Sequence, residues 1–258
     1  MNIKEIIKAL EVFAPLPLQE SYDNAGLQVG LSEAECSGAL LCLDVTEAVL
    51  QEAADRGCNL VVAHHPLVFR PVKHITDQTY VERCLRFAVK NDIAIYAAHT
   101  NLDNAAGGVN HEIASRLGLQ DVQFLVDNGN GGGSGIVGHL AAPMAAPEFI
   151  QSVKEIFGVE CAMCNSYLSR PVSKVALCGG AGDFLLNDAV ASGADAFITG
   201  EMHYHQYFGM EQTIQIVVIG HYQSEQYTMH LLQRKLQEQF PQLRTAITSI
   251  NTNPIQYI

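Results

Sequence analysis

Short apolar runs recur along the chain, and segments with helical spacing of apolar residues separate them. An apolar run of about four to eight residues with turn residues on both sides is typical of a buried strand. Such runs predict strands at residues 39–43, 60–64, 93–98, 174–178, 196–199 and 214–219. Helical spacing predicts helices at residues 46–55, 79–90, 108–117, 149–157, 183–192 and 222–239. This alternation predicts an α/β protein with largely parallel sheets.

The amino-terminal segment has the spacing of an amphipathic helix. Ile3, Ile6, Ile7 and Leu10 fall on one helical stripe, and charged residues interrupt the segment, unlike the apolar core of a secretory signal. No apolar stretch of the 258 residues is long enough to span a membrane. The seven cysteines are scattered through apolar segments, which is typical of reduced core residues. We therefore expect a cytoplasmic protein.

The charge balance disfavours a general nucleic-acid-binding surface. The chain has 15 Lys and Arg against 27 Asp and Glu, a formal net charge of -12. The field of such a protein repels phosphate backbones unless a local patch or a metal reverses it. We expect a small-molecule substrate, which could be a nucleotide, and no membrane partner; a nucleic-acid partner is disfavoured.

A glycine-rich segment marks a change of composition near the middle of the chain. Residues 127–135 contain five glycines and no apolar side chain. This composition is typical of a flexible connection or of a tight hairpin loop. A provisional boundary placed there predicts a first α/β lobe at residues 1–126 and a second at residues 127–258. Packing of the C-terminal segment back on the first lobe is left open.

Two adjacent histidines end the second predicted strand. His64 and His65 follow an apolar run, and Pro66 cannot donate to a sheet ladder, so the strand is predicted to end at the pair. Neighbouring strand residues point to opposite faces, so the two imidazoles are better placed to reach two ions than to chelate one. The pair therefore indicates a two-metal centre.

Two further strand ends carry imidazole and carboxylate groups. His99 and Asp103 follow the third predicted strand, and His221 and Glu225 follow the sixth with a spacing that places both on one helical face. The carboxyl edge of an α/β sheet gathers strand ends into a shared crevice. Nitrogen and oxygen donors without thiolate suit zinc, manganese, iron, cobalt or nickel. We predict two divalent ions, with Asp103 or Glu225 as the bridging carboxylate.

Other segments have two interpretations each. A predicted strand is followed by Glu201, His203 and His205. These residues could supply a partner that orients a metal ligand, or a proton shuttle near the metals. The alternative is that they form only a polar helix start. Cys161 and Cys164 are spaced for a redox or zinc site, but no second pair accompanies them. The glycines at 179, 180 and 182 are a weak anion-binding signal, and close strand–helix packing is the favoured role.

Together these segments resemble the Nif-three-like family, whose members are often named GTP cyclohydrolase 1 type 2 homologues. The resemblance spans nearly the whole chain. The motifs that carry it are Tyr22-Asp-Asn-Ala-Gly-Leu-Gln-Val-Gly30, His64-His-Pro66, His99-Thr-Asn-Leu-Asp103, Thr199-Gly-Glu201 and Gly220-His-Tyr-Gln-Ser-Glu225. It implies a two-lobed α/β fold with mixed, largely parallel sheets flanked by helices, a metal site in the interlobe cleft, and a toroidal homohexamer. Some longer members carry an inserted domain that this chain is too short to contain.

The same resemblance implies a ligand set. A dinuclear metal centre would be held by His64, His65, Asp103, His221 and Glu225, with Glu225 as the bridge. The identity of the two divalent ions is left open among zinc, manganese, iron, cobalt and nickel.

Three functional hypotheses remain. The first is a dinuclear metal-dependent hydrolase that acts on a nucleotide-like or other anionic small molecule through a metal-bound hydroxide. For a guanine nucleotide, attack at C8 would open the imidazole ring while His99 or Glu201 shuttled protons. The second is a metal-handling or regulatory metal-binding protein without turnover, which would release its metal readily to an acceptor. DNA binding through a ring ranks last, because it fits the acidic charge poorly.

Overall fold

The computed structural model describes residues 1–256, which form two compact units. The first unit consists of Met1–Leu102 and Thr228–Gln256, and the second consists of Asp103–Tyr227. The division therefore lies at residues 102/103 and 227/228, whereas the sequence placed it between residues 126 and 127. Residues 257 and 258, the end of the predicted second lobe, lie outside the described residues.

The first unit is built on a mixed sheet. Its strands are β1 (Gly26–Val29), β2 (Ala39–Cys42), β3 (Leu60–Ala63), β4 (Ala94–Ala97) and β11 (Thr245–Ile247). Their order across the sheet is β1-β4-β3-β2-β11. β1 runs antiparallel to β4, and the other neighbours are parallel. The apolar runs of the sequence correctly predicted β2, β3 and β4, which are buried along their whole length.

Amphipathic helices pack around this sheet. They are α1 (Ile3–Phe13), α2 (Glu47–Asp55), α3 (Tyr80–Lys90) and α9 (Thr228–Gln239). Asn2, Thr46 and Thr79 each accept a backbone hydrogen bond at a helix start, which satisfies an N–H that the helix cannot. α2 and α3 bury apolar residues in one core with alternate residues of β2, β3 and β4. Burial on both sheet faces explains the continuous apolar runs of the central strands.

The second unit also contains a mixed sheet. Its strands are β5 (Gln120–Asp127), β6 (Gly133–Met144), β7 (Met163–Cys164), β8 (Val172–Cys178), β9 (Ala196–Thr199) and β10 (Gln215–Val218). They lie in the order β5-β6-β8-β9-β10-β7. β8, β9 and β10 are parallel, but β6 is antiparallel to β5 and β8, and β7 is antiparallel to β10. Both sheets are mixed and flanked by helices, which confirms the predicted fold class; parallel pairing predominates in the first unit and antiparallel pairing in the second.

The glycine-rich segment lies at the turn of the β5–β6 hairpin. The ladder between the two strands begins at the pair Asp127 and Gly133. A Cβ atom at Gly133 would lie 2.5 Å from the ring of Phe124, so only glycine allows this close approach. The segment is thus the tight hairpin loop that its composition allowed. Because the hairpin keeps β5 and β6 together, the predicted boundary at 126/127 falls inside the second unit.

Helices accompany the strands of the second unit. They are α5 (Val109–Arg116), α6 (Ala146–Phe157), α7 (Leu186–Ala191) and α8 (His221–Glu225), and the short α4 (Thr100–Asp103) contains the division between the units. No helix within residues 1–256 combines the length and apolar character that crossing a membrane requires.

The single helix predicted at residues 222–239 is two helices, α8 and α9. Tyr227 lies between them, and its hydroxyl donates to the Ile156 carbonyl at 3.2 Å. The guanidinium of Arg116 lies 3.5 Å from the centre of the Tyr227 ring. These contacts anchor the Tyr227 side chain within the second unit, and the helical pattern of the sequence does not reveal them.

Candidate metal centre

His64 and His65 follow β3 directly in the first unit. His64 is fully buried, and the side chain of His65 is 21% exposed. Their ring centroids lie 4.9 Å apart. Side chains of adjacent strand residues would diverge, but the regular strand ends at Ala63 and the two rings are neighbours.

His99 completes a cluster of three imidazoles in this unit. Its ring centroid lies 5.3 Å from that of His64 and 5.5 Å from that of His65. One ring nitrogen from each of the three residues lies within 4.8 Å of the others. We call His64, His65 and His99 the imidazole cluster. Three nitrogen donors at this spacing can hold a transition-metal ion.

The Nδ1 atom of each ring in the imidazole cluster has an oxygen partner at 2.7 Å. That of His64 donates to the Ala98 carbonyl, that of His65 to Asp44, and that of His99 to Asp23. A neutral imidazole with its proton on Nδ1 carries a lone pair on Nε2, which is the atom that binds a metal. Such outer partners fix both the tautomer and the direction of a metal-binding histidine.

Both orienting carboxylates are ionised at neutral pH. Burial raises the pKa of Asp44, but hydrogen bonds from His65 and Thr252 outweigh burial and hold the pKa below its ordinary value. Burial also raises the pKa of Asp23, and hydrogen bonds from His99, Thr100 and the Asn24 backbone lower it to about 2. Negative partners increase the basicity of the imidazoles as ligands.

The second unit contains an imidazole–carboxylate pair, His221 and Glu225. His221 begins α8, and its Nε2 lies 3.1 Å from the carboxylate of Glu225, one turn further on. His221 Nδ1–H donates to Glu201 at 2.7 Å, so a neutral ring turns its Nε2 lone pair toward the buried carboxylate of Glu225. A nitrogen lone pair and a carboxylate oxygen at this distance repel each other unless a proton or a cation lies between them. The pair therefore fits a bound metal ion.

Asp103 lies near Glu225 in the same unit. Burial raises the pKa of the Cys178 thiol, and the negative charges of Asp103 and Glu225 raise it further. Asn110 ties Asp103 to the end of β8, because its amide donates to the Asp103 carbonyl at 3.2 Å and accepts from the Gly179 N–H at 2.9 Å. The two carboxylates thus approach the same buried position beside Cys178.

Glycines allow α8 to lie against the ends of β8 and β9. A Cβ atom at Gly180 would lie 2.3 Å from a carboxylate oxygen of Glu225, and one at Gly200 would lie 2.8 Å from the Cα of His221. The N–H of Gly180 donates to the Ser224 hydroxyl at 2.9 Å. This is the close strand–helix packing that the glycine run predicts, and it holds the Glu225 carboxylate in place.

The two predicted acid–base residues occupy different surroundings. His99 lies within the imidazole cluster, beside two of the predicted ligands. Glu201 accepts the Nδ1–H of His221, and its side chain is 56% exposed. Glu201 therefore orients a predicted ligand, and its side chain is open to solvent. Catalytic roles for both residues stay predictions.

Among the described residues 1–256, His203 and His205 belong to none of the side-chain groups that could hold a metal ion. His203 is 84% exposed and its Nδ1–H donates to Asp183 at 2.5 Å. His205 contacts the rings of Tyr204 and Phe208. Both residues belong to a 3-10 turn and its start, which agrees with the polar helix start that was the alternative interpretation.

The sequence did not single out Asp44 or Asp23 as partners of histidines. Asp44 follows β2, so it is a further polar residue at a strand end, and the rule that found the histidines applies to it equally. Asp23 lies in the motif Tyr22–Gly30, to which the sequence assigned no chemistry. Its partner His99 is 76 residues away along the chain, so no local pattern connects them.

Replacing Asp44 with Asn is expected to weaken metal binding by about 10–100-fold, the usual loss when an orienting partner of a ligand is changed. The amide keeps the size of the side chain but is a weaker acceptor for the His65 Nδ1–H. Competition with a chelator of known affinity measures the change. Asp195→Asn is the matched control, because Asp195 bonds to Arg170 and to backbone N–H groups and not to a histidine. Equal losses in the two variants would contradict the orienting role.

Comparison with protein families identifies relatives of this chain. The family model described as Duf34/NIF3 (NGG1p interacting factor 3) matches residues 1–254. A Clostridium perfringens protein named GTP cyclohydrolase 1 type 2 homolog is 36% identical over 242 residues, which cover 92% of each chain. A protein of the same name from Halalkalibacterium halodurans aligns over 368 residues with 25% identity, covering 100% of this chain and 99% of the relative. That aligned span exceeds the 258 residues of this chain, so the relative contains additional sequence.

The fold agrees with this relationship. A crystal structure described as a Bacillus cereus protein related to NIF3 superimposes with a TM-score of 0.91 at 27% identity, covering 100% of this chain and 99% of that one. The family model, the sequence relatives and the structural match all extend over nearly the full length. The chain therefore belongs to the Duf34/NIF3 family.

Proposed function

We propose that this protein is a dinuclear metal-dependent hydrolase that acts on a nucleotide-like or other anionic small molecule. In this proposal His64, His65, Asp103, His221 and Glu225 hold two divalent ions, with Glu225 as the bridge. The observation that supports it best is the orientation of the imidazole cluster, whose Nδ1 atoms are all committed to oxygen partners. That arrangement prepares Nε2 for a metal.

The donor chemistry of both units fits divalent transition metals. The first unit offers imidazole nitrogens with ionised partners, and the second offers one imidazole and two carboxylates near a buried position. Two divalent ions bound close together would lower the pKa of a coordinated water and polarise a substrate oxygen. A carboxylate at Glu225, only 4% exposed, would offset the repulsion between them.

The chain's own residues would then bind and move protons. Asp44 would hold His65 in one tautomer throughout the reaction. His99 has a ring nitrogen that can accept a proton beside the ligands, and Asp23 would stabilise the imidazolium that forms. Glu201 is exposed enough to pass a proton to solvent. Hydrolysis needs one group that accepts a proton and one that passes a proton to solvent, and His99 and Glu201 would fill these two roles.

The nucleotide class rests on the names of the relatives. The Clostridium perfringens relative is named GTP cyclohydrolase 1 type 2 homolog, so guanine nucleotides come first in a substrate screen. For such a substrate, water would attack C8 of the purine and open the imidazole ring, which changes the ultraviolet spectrum. Assembly into a toroidal homohexamer also stays a prediction.

The test is turnover by protein purified without added ions. We expect hydrolysis of at least one member of a panel of purine and pyrimidine nucleotides and simple phosphoesters. Chelation should abolish the activity, and the metal originally present should restore it. Protein that retains its metal but converts no member of the panel would contradict the hydrolase. Ready transfer of that metal to an acceptor would then favour the metal-handling alternative.

A further inference from the structure

A row of aromatic rings leads from the surface of the first unit to the imidazole cluster. The rings of Tyr22 and Phe69 meet edge to face with centroids 6.4 Å apart, and Phe69 meets His99 in the same way at 6.1 Å. Tyr22 is 65% exposed and Phe69 is 42% exposed. The row therefore offers open ring surface immediately beside the candidate ligands, in a chain that has no tryptophan.

Hydrogen bonds connect the segment around Tyr22 to the segment around Phe69. The side-chain amide of Asn24 donates to the Val68 carbonyl at 2.6 Å, and the Val68 N–H donates to the Gln28 side chain at 2.9 Å. Asp23 meanwhile anchors the first segment to His99. Tyr22 and Phe69 are thus positioned by their backbones before any ligand arrives, which lowers the ordering cost of binding.

A basic segment continues directly from Phe69. Residues 66–76 contain Arg70, Lys73 and His74 and no acidic residue, although the chain as a whole carries a net charge of -12. Arg70 and Lys73 are exposed. Within residues 1–256, neither side chain forms an ion pair with an acidic group. Positive charge that no carboxylate neutralises attracts an anionic ligand to this part of the surface.

We infer that Tyr22, Phe69, Arg70 and Lys73 form a binding subsite for a nucleotide. The planar base stacks on Phe69 and Tyr22, and the phosphates bind Arg70 and Lys73. Aromatic rings beside cationic side chains are the combination that recognises a base together with its phosphates. The inference rests on the proposed function, because it names residues that select the substrate of that site. It also gives the motif Tyr22–Gly30 a role, since that motif positions Tyr22 and connects Asp23 to His99.

The experiment measures binding of three probes to metal-replete protein. GTP, guanosine and inorganic triphosphate are passed over immobilised protein under continuous flow, so that turnover does not deplete the probe. Phe69→Leu and Tyr22→Leu should each raise the Kd of GTP and guanosine about tenfold, because a stacked base is lost, and leave triphosphate unchanged. The double variant Arg70→Gln, Lys73→Gln should raise the Kd of GTP and triphosphate, flatten their salt dependence, and spare guanosine.

Matched variants control for general effects. Tyr167→Leu removes an exposed aromatic ring of the second unit, and Lys90→Gln removes an exposed charge elsewhere in the first. Both should bind all three probes like the unaltered protein. Metal content is measured for every variant. If Phe69→Leu loses metal through its contact with His99, Tyr22→Leu decides, because Tyr22 stands further out in the row and its ring meets that of Phe69.

Several results would overturn the inference. The first is that the unaltered protein fails to bind GTP. The second is that both aromatic variants bind GTP as tightly as the unaltered protein. The third is that the aromatic variants change the mass of the oligomer and leave the GTP affinity unchanged. The last result would assign the rings to contact with a second copy of the chain. The proposed function fails separately. Ring-dependent GTP binding without turnover removes only the hydrolase, whereas nucleotide turnover that ignores Tyr22 and Phe69 removes only the subsite.

Discussion

Glu225→Gln is expected to lower metal affinity by more than about 100-fold and to abolish metal-dependent turnover. The loss should exceed the 10–100-fold typical of an orienting partner, because Glu225 is itself a proposed ligand. The carboxylate is 4% exposed and faces His221 Nε2 at 3.1 Å. Glutamine has nearly the same shape but no charge, so it cannot offset two divalent cations. Metal content after dialysis against a chelator measures the effect.

The fold should survive this substitution. A buried carboxylate without a cation is costly, so Glu225→Gln should leave the stability of metal-free protein unchanged or raise it. Glu211→Gln, at an exposed turn of the second unit, is the matched control and should retain full metal content. Glu225→Gln protein that unfolds like the control and keeps its full metal content would exclude Glu225 as a ligand.

Gly180→Ala is expected to destabilise the protein by about 2–5 kcal/mol. Gly180 has φ +61°, where any other residue costs about 1–2 kcal/mol. The added Cβ atom would also lie 2.3 Å from a Glu225 oxygen and 3.3 Å from His221, and overpacking of this kind adds about 1–3 kcal/mol. Displacement of Glu225 should reduce metal binding as well. Denaturant unfolding and metal content measure the two effects.

Gly158→Ala separates backbone strain from crowding. Gly158 ends α6 with φ +63°, almost the same conformation, but a Cβ atom there would meet nothing within 4 Å. Its substitution should cost only about 1–2 kcal/mol and leave metal binding intact. Equal destabilisation by the two variants would show that Gly180 is glycine for its backbone alone, and that it does not hold Glu225 in place.

The parts of the fold that the sequence predicted are those buried on both sides. β2, β3 and β4 have continuous apolar runs because helices or other elements cover both faces of their sheet. β5 and β6 mix exposed with buried residues, and β6 begins in the glycine-rich segment. Their pairing depends on close backbone approach, which a hydrophobic pattern does not record. The glycine-rich segment allowed either a hairpin loop or a flexible connection, and the boundary at 126/127 followed the second interpretation, so the antiparallel pairing of β5 and β6 was not predicted.

The candidate site was predictable where chemistry coincides with a strand end. His64, His65 and His221 follow directly from that rule, and four-residue spacing adds Glu225. The orienting partners were not predictable, because the bonds of His65 to Asp44 and of His99 to Asp23 span 21 and 76 residues. Such pairs are determined by tertiary structure, and single-sequence patterns do not contain that information.

The most direct test of the central claim is a crystal structure of protein purified without added ions, with anomalous diffraction recorded at transition-metal absorption edges. Two anomalous peaks per chain are predicted, about 3.5–4 Å apart. Each should lie about 2.0–2.2 Å from nitrogen or oxygen atoms of His64, His65, Asp103, His221 and Glu225, with Glu225 contacting both. A single ion held by the imidazole cluster alone, without Asp103 or Glu225, would contradict the dinuclear centre.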